Sequence, residues 1–135
     1  MGRAETGRRG QGGRTETGRR GEDAACRYLA SRGHVILERN WRSGHWEIDI
    51  ITLAQDGLHI VEVKTRVAPV AAQPEENVRY GKQRNLVAAA QRYLHNKNDE
   101  RLSGLEVFFD VIAITLDEGA EEIAYFPQAF LPIYV

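Results

Sequence analysis

Trp46-Glu47-Ile48-Asp49-Ile50-Ile51-Thr52-Leu53, then Ala54-Gln55-Asp56-Gly57, then Leu58-His59-Ile60-Val61-Glu62-Val63-Lys64-Thr65-Arg66, is the stretch that sets the fold. Two runs rich in β-branched residues flank an Asp-Gly pair, which marks a hairpin and makes the runs antiparallel neighbours. Side chains alternate along an extended strand. Glu47 and Asp49 are therefore expected on one face of the first run, with Ile48 and Ile50 on the other. In the second run Glu62, Lys64 and Arg66 share a face with Ile60, opposite Val61 and Val63. Asp49 and Glu62 can then approach each other across the hairpin.

Carboxylates inside apolar strands lose hydration, so they need a partner or a metal. Asp49, Glu62 and a third carboxylate beside Lys64 suit a hard divalent cation, Mg2+ or Mn2+, which takes carboxylate oxygens and keeps waters for a phosphate substrate. A lysine two residues beyond Glu62 stands where it can orient the attacking water and offset charge developing on phosphorus. That is chemistry for cutting phosphodiesters. Taken alone, a Glu-x-Lys strand is weak evidence, because a plain cross-strand ion pair between Lys64 and Glu62 or Asp49 accounts for it. More specific is the whole pattern: Asp, thirteen residues later Glu-Val-Lys, and a preceding helix with a core-facing Glu.

That helix is read outward toward the N-terminus. From Thr17, a cap candidate, Ala25, Cys26 and Leu29 follow helical spacing to an end near Gly33, with Glu22 on the same stripe. Val35-Ile36-Leu37 into Arg39 reads as a strand before the hairpin. After it, Ala68 to Pro74 reads as a loop, and Glu75 to Asn96 as a long helix carrying Val78, Leu86, Ala89, Ala90, Tyr93 and Leu94 inward. Glu106 to Leu116 is nearly continuous in apolar residues, as in a strand buried on both faces, and Glu122 to Phe126 is a candidate closing strand. The order is α-β-β-β-α-β, an α/β class.

At 135 residues and 42% hydrophobic content the chain fits one domain with a core. Its net charge of −1 hides an asymmetry: residues 1–21 carry +4 through six arginines, and the remainder carries −5. The body is thus no general polyanion binder, and nucleic-acid contact has to come from a local patch. Residues 2–11 recur almost unchanged as 13–22. A Gly/Arg segment without an apolar face cannot offset its ordering entropy, so 1–14 reads as a disordered tail and 15–135 as the single domain. An arm touching phosphates through Arg is the functional alternative for that tail. One cysteine, Cys26, precludes an internal disulfide, and the start has no apolar signal region, which together point to the cytoplasm. No run approaches the ~18 apolar residues that span a bilayer.

The segments Gly18-Arg-Arg-Gly-Glu22-Asp-Ala-Ala, Asn40-Trp-Arg, Glu47-Ile-Asp49-Ile-Ile, Val61-Glu62-Val-Lys64-Thr-Arg66, Lys82-Gln83-Arg84 and Phe109-Asp110-Val resemble the bacterial YraN-like family. That family is similar to Holliday-junction resolvases of the PD-(D/E)XK nuclease superfamily, and the likeness runs from about Gly18 to Ile114. It implies a restriction-endonuclease-like αβββαβ core with a mixed central sheet. By the same resemblance Asp49 and Glu62 ligate the metal, Lys64 acts on the water and Glu22 assists from the first helix. Two positions depart from the pattern: Trp46 where the family usually has Gly, and Phe108 where it usually has Arg.

Around this set, Lys82 lies on the inward stripe of the second long helix and is a candidate for a scissile phosphate or the carboxylates, with snorkelling to water as the alternative. Gln83, Arg84, Arg42 and Arg66 are candidate nucleic-acid contacts. Asp110, alone in an apolar strand, reads as a structural acceptor for Arg or backbone N–H rather than a metal ligand. Trp41 and Trp46 are candidates for core anchors or base stacking. The four histidines lack zinc spacing. The leading expectation is a Mg2+- or Mn2+-dependent endonuclease acting on DNA, on branched or repair intermediates. Its rivals are a non-catalytic nucleic-acid-binding or adaptor domain with Arg39, Arg42, Arg66, Lys82 and Arg84 as a phosphate rim, and a purely structural ion-pair network. The apolar Phe126 to Val135 either caps the core or forms a homodimer interface.

Overall fold

The computed structural model describes residues 15–70 and 78–132. Its elements are α1 (Glu16–Ser31), β1 (Val35–Ser43), β2 (Trp46–Ala54), β3 (Gly57–Val67), α2 (Tyr80–Lys97), a short 3-10 turn (Glu100–Leu102), β4 (Val107–Asp117) and β5 (Ala120–Phe126). The strands form one sheet in chain order, β1 to β5. Every neighbouring pair is antiparallel except β3 and β4, which run parallel with α2 as their crossover. This is the expected αβββαβ order, with the closing strand present as β5.

Each helix covers one face. Leu58 and Ile60 of β3 pack with Leu86, Ala89, Ala90 and Tyr93 of α2, together with Ile51 and Phe109. Val61, one residue on, points the other way, into Ala24, Ala25 and Leu29 of α1 with Ile112 and Ile114 of β4. Burial on both faces explains why β4 reads as an unbroken apolar run.

Several boundaries differ from expectation. The cap of α1 is Thr15, whose hydroxyl accepts the Gly18 N–H at 2.9 Å, while Thr17 lies inside the helix; Thr15-Glu16-Thr17 offers two caps, and the earlier one is used. Helix α2 begins at Tyr80, so Val78 and Arg79 precede it; the expected start at Glu75 lies outside the described residues, as do the tail 1–14 and Ile133 to Val135. The β2–β3 turn is Gln55-Asp56, with Gly57 (φ 146°) already paired to Ala54. A Cβ at Gly57 would strike the Glu106 carbonyl, so this glycine permits close approach as well as an unusual φ. Trp46 pairs with Ser43 across a turn at Gly44-His45, and both tryptophans pack against the α2-side core, Trp41 edge-on to Tyr93 at 5.4 Å.

Helix α1 sits unusually close to β3 at one point. A Cβ on buried Gly21 would overlap the Thr65 side chain. Gly21→Ala is therefore expected to cost about 1–3 kcal/mol through overpacking, against a helix-propensity gain of about 1 kcal/mol. Urea unfolding checks this, and the double change Gly21→Ala with Thr65→Ala should recover most of the loss. A Gly21→Ala protein as stable as the parent would mean that α1 is not held at this distance.

Candidate active site where two strands part

The β2–β3 ladder pairs Ala54 with Gly57 through Ile50 with Val61 and then stops. Carried on, the register would set Ile48 opposite Val63. Instead the Asp49 carboxylate enters the gap and accepts the Val63 N–H at 2.9 Å. On the other side, β1 keeps its register, pairing Arg39 with Ile50 and Trp41 with Ile48, while Asn40 between them adopts φ 53°.

This break corrects the alternation expected for β2. Ile48 joins the α2-side core and Ile50 the α1-side core, so they do not share a face. Glu47 and Asp49 are likewise not a pair. Glu47 is half-exposed and bound to Arg42 at 3.2 Å, whereas Asp49 is turned in toward β3. The physical reason is that a side-chain acceptor replaces a main-chain carbonyl at one rung, which strict period-two geometry excludes. Beyond the break β3 behaves as expected, with Glu62, Lys64 and Arg66 on the α2 side with Ile60.

Burial pushes the Asp49 carboxyl up to about 8, with the negative charge of Glu62 next in weight and that of Glu22 adding to it; the Val63 N–H and Lys82 act in the opposite direction. Asp49 thus feels both other candidate carboxylates. Glu62 is reached from α2 by Lys82 Nζ at 3.6 Å, so the inward-stripe lysine does arrive at the carboxylates. Glu22, only 7% exposed, comes from α1 and accepts from Asn40 Nδ2 at 2.9 Å, with Arg39 Nη2 3.9 Å away. Lys64 lies in register with Ala113 of β4 and is partly buried.

The remaining candidates are scattered. Arg42 sits on the β1–β2 hairpin with Glu47. Gln83 donates to the Val78 carbonyl at 2.7 Å and Arg84 lies over the Tyr80 ring, so both are engaged at the start of α2. Arg66 has its Nη2 buried without a hydrogen-bond partner. Asp110 is a structural acceptor, but for His59 (2.6 Å), Tyr125 (2.6 Å) and the Gln128 N–H (3.0 Å), with no arginine among these. Phe108 stacks on the His59 ring, 4.8 Å between centroids. Asn40, part of the Asn40-Trp-Arg segment, was given no role from sequence; an Asn at the end of a β-like run, tolerant of positive φ, was its signal.

Among the described residues no three His, Cys, Asp or Glu side chains form a ready-made metal cage. The residues that could hold an ion are Asp49 and Glu62, carboxylates of the kind Mg2+ takes from protein when it keeps several waters. The pair fits such an ion in charge as well. Asp49 holds its proton to about pH 8 first because it is removed from water and next because of the negative charge of Glu62, and a divalent cation would offset that charge.

An α/β domain with a restriction-endonuclease-like core, two helices and a site at a parted strand pair defines the class. The model of Uncharacterised protein family UPF0102 matches residues 21–114, which include Glu22, Asp49, Glu62 and Lys64, and the chain belongs to this family, the YraN family. It is similar to the UPF0102 protein of Bacteroides thetaiotaomicron, 40% identical over 111 residues that cover 82% of this chain and 88% of the relative. The UPF0102 protein of Syntrophotalea carbinolica is 42% identical over 109 residues (81% and 86%), and that of Chloroherpeton thalassium 40% identical over 117 residues (81% and 88%). Among the described residues no helix is long and apolar enough to cross a membrane.

Proposed function

We propose that this protein is a metal-dependent endonuclease that hydrolyses DNA phosphodiester bonds, with branched or repair intermediates as its substrate class. The observation that carries the reading is Asp49: a partly buried carboxylate set into a broken ladder, beside Glu62 and within the field of Glu22. A fold gains nothing from such a residue unless something binds it, because the ionised form is costly there.

Asp49 and Glu62 would hold Mg2+ or Mn2+. What such an ion supplies when bound is positive charge against the phosphate and a more acidic water. The chain's own residues do the rest. Lys64, on the same face as Glu62, orients the attacking water and offsets charge growing on the phosphoryl oxygens. Glu22 approaches from the other helix and accepts a hydrogen bond from that water. Lys82 stands on Glu62 at 3.6 Å, and its side chain, 41% exposed, can turn to an incoming phosphate. The acidic body suits recognition of a particular DNA shape through few phosphates better than tight binding along a duplex.

The test is cleavage of labelled linear, flapped, four-way and single-stranded DNA with Mg2+ or Mn2+, beside melting of the protein in Mn2+ and in EDTA. Metal-dependent cutting, together with a Mn2+-induced gain in stability of about 2.7 kcal/mol at one hundred times Kd, is expected. A protein that shows no cutting and no stabilisation would overturn the reading. DNA binding under those conditions would then leave a phosphate-binding module without catalysis.

A further inference from the structure

We propose that Asn40 is the positioning residue of this site: it holds Glu22 against the Asp49 and Glu62 pair from the opposite side of the strand break. The inference rests on the nuclease reading and goes beyond it by giving a role to a residue outside the acid–lysine set.

Asn40 stands across the β1–β2 ladder from Asp49, between the rungs Arg39 with Ile50 and Trp41 with Ile48. Its φ of 53° lies in the left-handed region, which Asn tolerates far better than β-branched or bulky residues. The consequence is local and directional. Arg39 reaches Asp23 of α1 at 2.6 Å, and Asn40, the very next residue, also turns to α1, where Nδ2 donates to Glu22 Oε1 at 2.9 Å. Trp41 then returns to the α2 side against Tyr93. Two consecutive side chains on one face require this backbone. The same rung is where β2 gives up its own alternation at Asp49. One kink therefore aims Asn40 at Glu22 and lies beside the carboxylate that fills the ladder gap.

The chemistry of the donor matters too. Arg39, at 3.9 Å from Glu22, is committed to Asp23. A neutral amide fixes one Glu22 oxygen without cancelling the carboxylate's charge. Gly would accept the same φ without the donor. Asp would accept it too but set a second carboxylate against Glu22. These two substitutions thus separate backbone from side chain.

The experiment uses the full chain as Asn40→Gly, Asn40→Asp, Glu22→Gln and the double Asn40→Gly/Glu22→Gln. Cleavage rate on the best DNA substrate is measured against Mn2+ concentration, and Mn2+ binding without DNA is followed by loss of the free-ion EPR signal. Loss of a partner that orients a site residue typically costs about 10–100-fold. Asn40→Gly is expected to slow cleavage by about that factor and to weaken Mn2+ binding, with a melting temperature in EDTA close to the parent's. Asn40→Asp should be slower still. Because Asn40 acts through Glu22, the double variant should be no slower than Glu22→Gln alone, a coupling that a general packing role would not produce. Asn40→Gly that cuts and binds Mn2+ as the parent does, or effects that multiply in the double variant, would overturn the assignment of Asn40 while leaving the nuclease standing. A parent protein that neither cuts nor binds Mn2+ would overturn both.

Discussion

Asn in place of Asp49 is expected to stabilise the metal-free protein and to abolish cleavage. The two effects share a cause. Asp49 keeps its proton in the folded protein to about pH 8, first because it is buried and next because of Glu62, whereas in the unfolded chain an Asp ionises near 3.9. Between those values the unfolded state binds fewer protons than the folded one. Stability therefore falls as pH rises from about 4 to about 8, and the loss is complete above that. Asn has no charge to desolvate, and its side-chain oxygen still accepts the Val63 N–H. The variant should match the parent near pH 4 and exceed it by on the order of a few kcal/mol at pH 8 in EDTA. Mn2+ is expected to reverse the ranking, by stabilising only the protein that has both carboxylates. In the same preparation cleavage should fall by about a thousandfold or more, the equivalent of several kcal/mol of lost charge stabilisation. Lys64→Ala separates the roles: Mn2+ binding should survive, with a rate lower by about 10²–10⁴-fold. Urea unfolding at pH 4.5, 7 and 8.5, with and without Mn2+, reads the first effect, and single-turnover cleavage the second. A destabilised Asp49→Asn, or one that still cuts, would sink the assignment of Asp49.

The sequence made some of this legible and hid the rest for identifiable reasons. The Asp-Gly turn between two alternating runs announced the hairpin, and the register that follows from it brings β2 and β3 side by side up to Ile50 and Val61. The faces of Glu62, Lys64 and Arg66 were readable because β3 stays regular there. Helical spacing placed Glu22 and Lys82 on inward stripes; Lys82 reaches Glu62, and the charge of Glu22 acts on Asp49. The break at Asp49 was not readable. Period-two reasoning assumes that every rung is closed by main-chain atoms, and here a carboxylate closes one instead while Asn40 takes a positive φ opposite it. The assignment of Ile48 and Ile50 to one face failed for that reason. In β1 the same Asn and a register shift between Ile36 and Glu38 obscured a strand that runs on to Ser43. His59 and Asp110 posed a different difficulty. Each reads as a lone polar residue in an apolar run, and only the parallel register of β3 on β4, which periodicity does not supply, brings them together.

That pair leads to a second large effect, away from the candidate active site. His59 is 4% exposed, and both ring nitrogens face carboxylates: Nδ1 lies 2.6 Å from Asp110 Oδ2 and Nε2 lies 2.7 Å from Asp56 Oδ1. Two acceptors need two N–H donors, so the ring is an imidazolium. Burial alone would lower its pKa, but the hydrogen bonds to Asp110 and Asp56 overcome it and the net shift is upward. His34, edge-on at 4.6 Å, is pushed down by burial and then by the charge of His59. Tyr125 and the Gln128 N–H complete the shell of Asp110, whose side chain has no exposure. The stability that His59 contributes is present in full below its unfolded value near 6.5 and is lost as pH rises through its raised folded value. This window overlaps that of Asp49, which also loses stability with rising pH up to about 8. The two are separated by working in the Asp49→Asn background, where any fall from pH 6.5 upward belongs to the His59 network. His59→Ala in that background should flatten the dependence and cost about 3–5 kcal/mol at pH 6.5, because Asp110 is left as a buried charge without its counter-ion. Adding Asp110→Asn removes that charge and should return part of the loss, which distinguishes a stranded carboxylate from a simple cavity. A His59→Ala protein that keeps the parent's slope above pH 6.5 would show that the imidazolium is not the group being titrated.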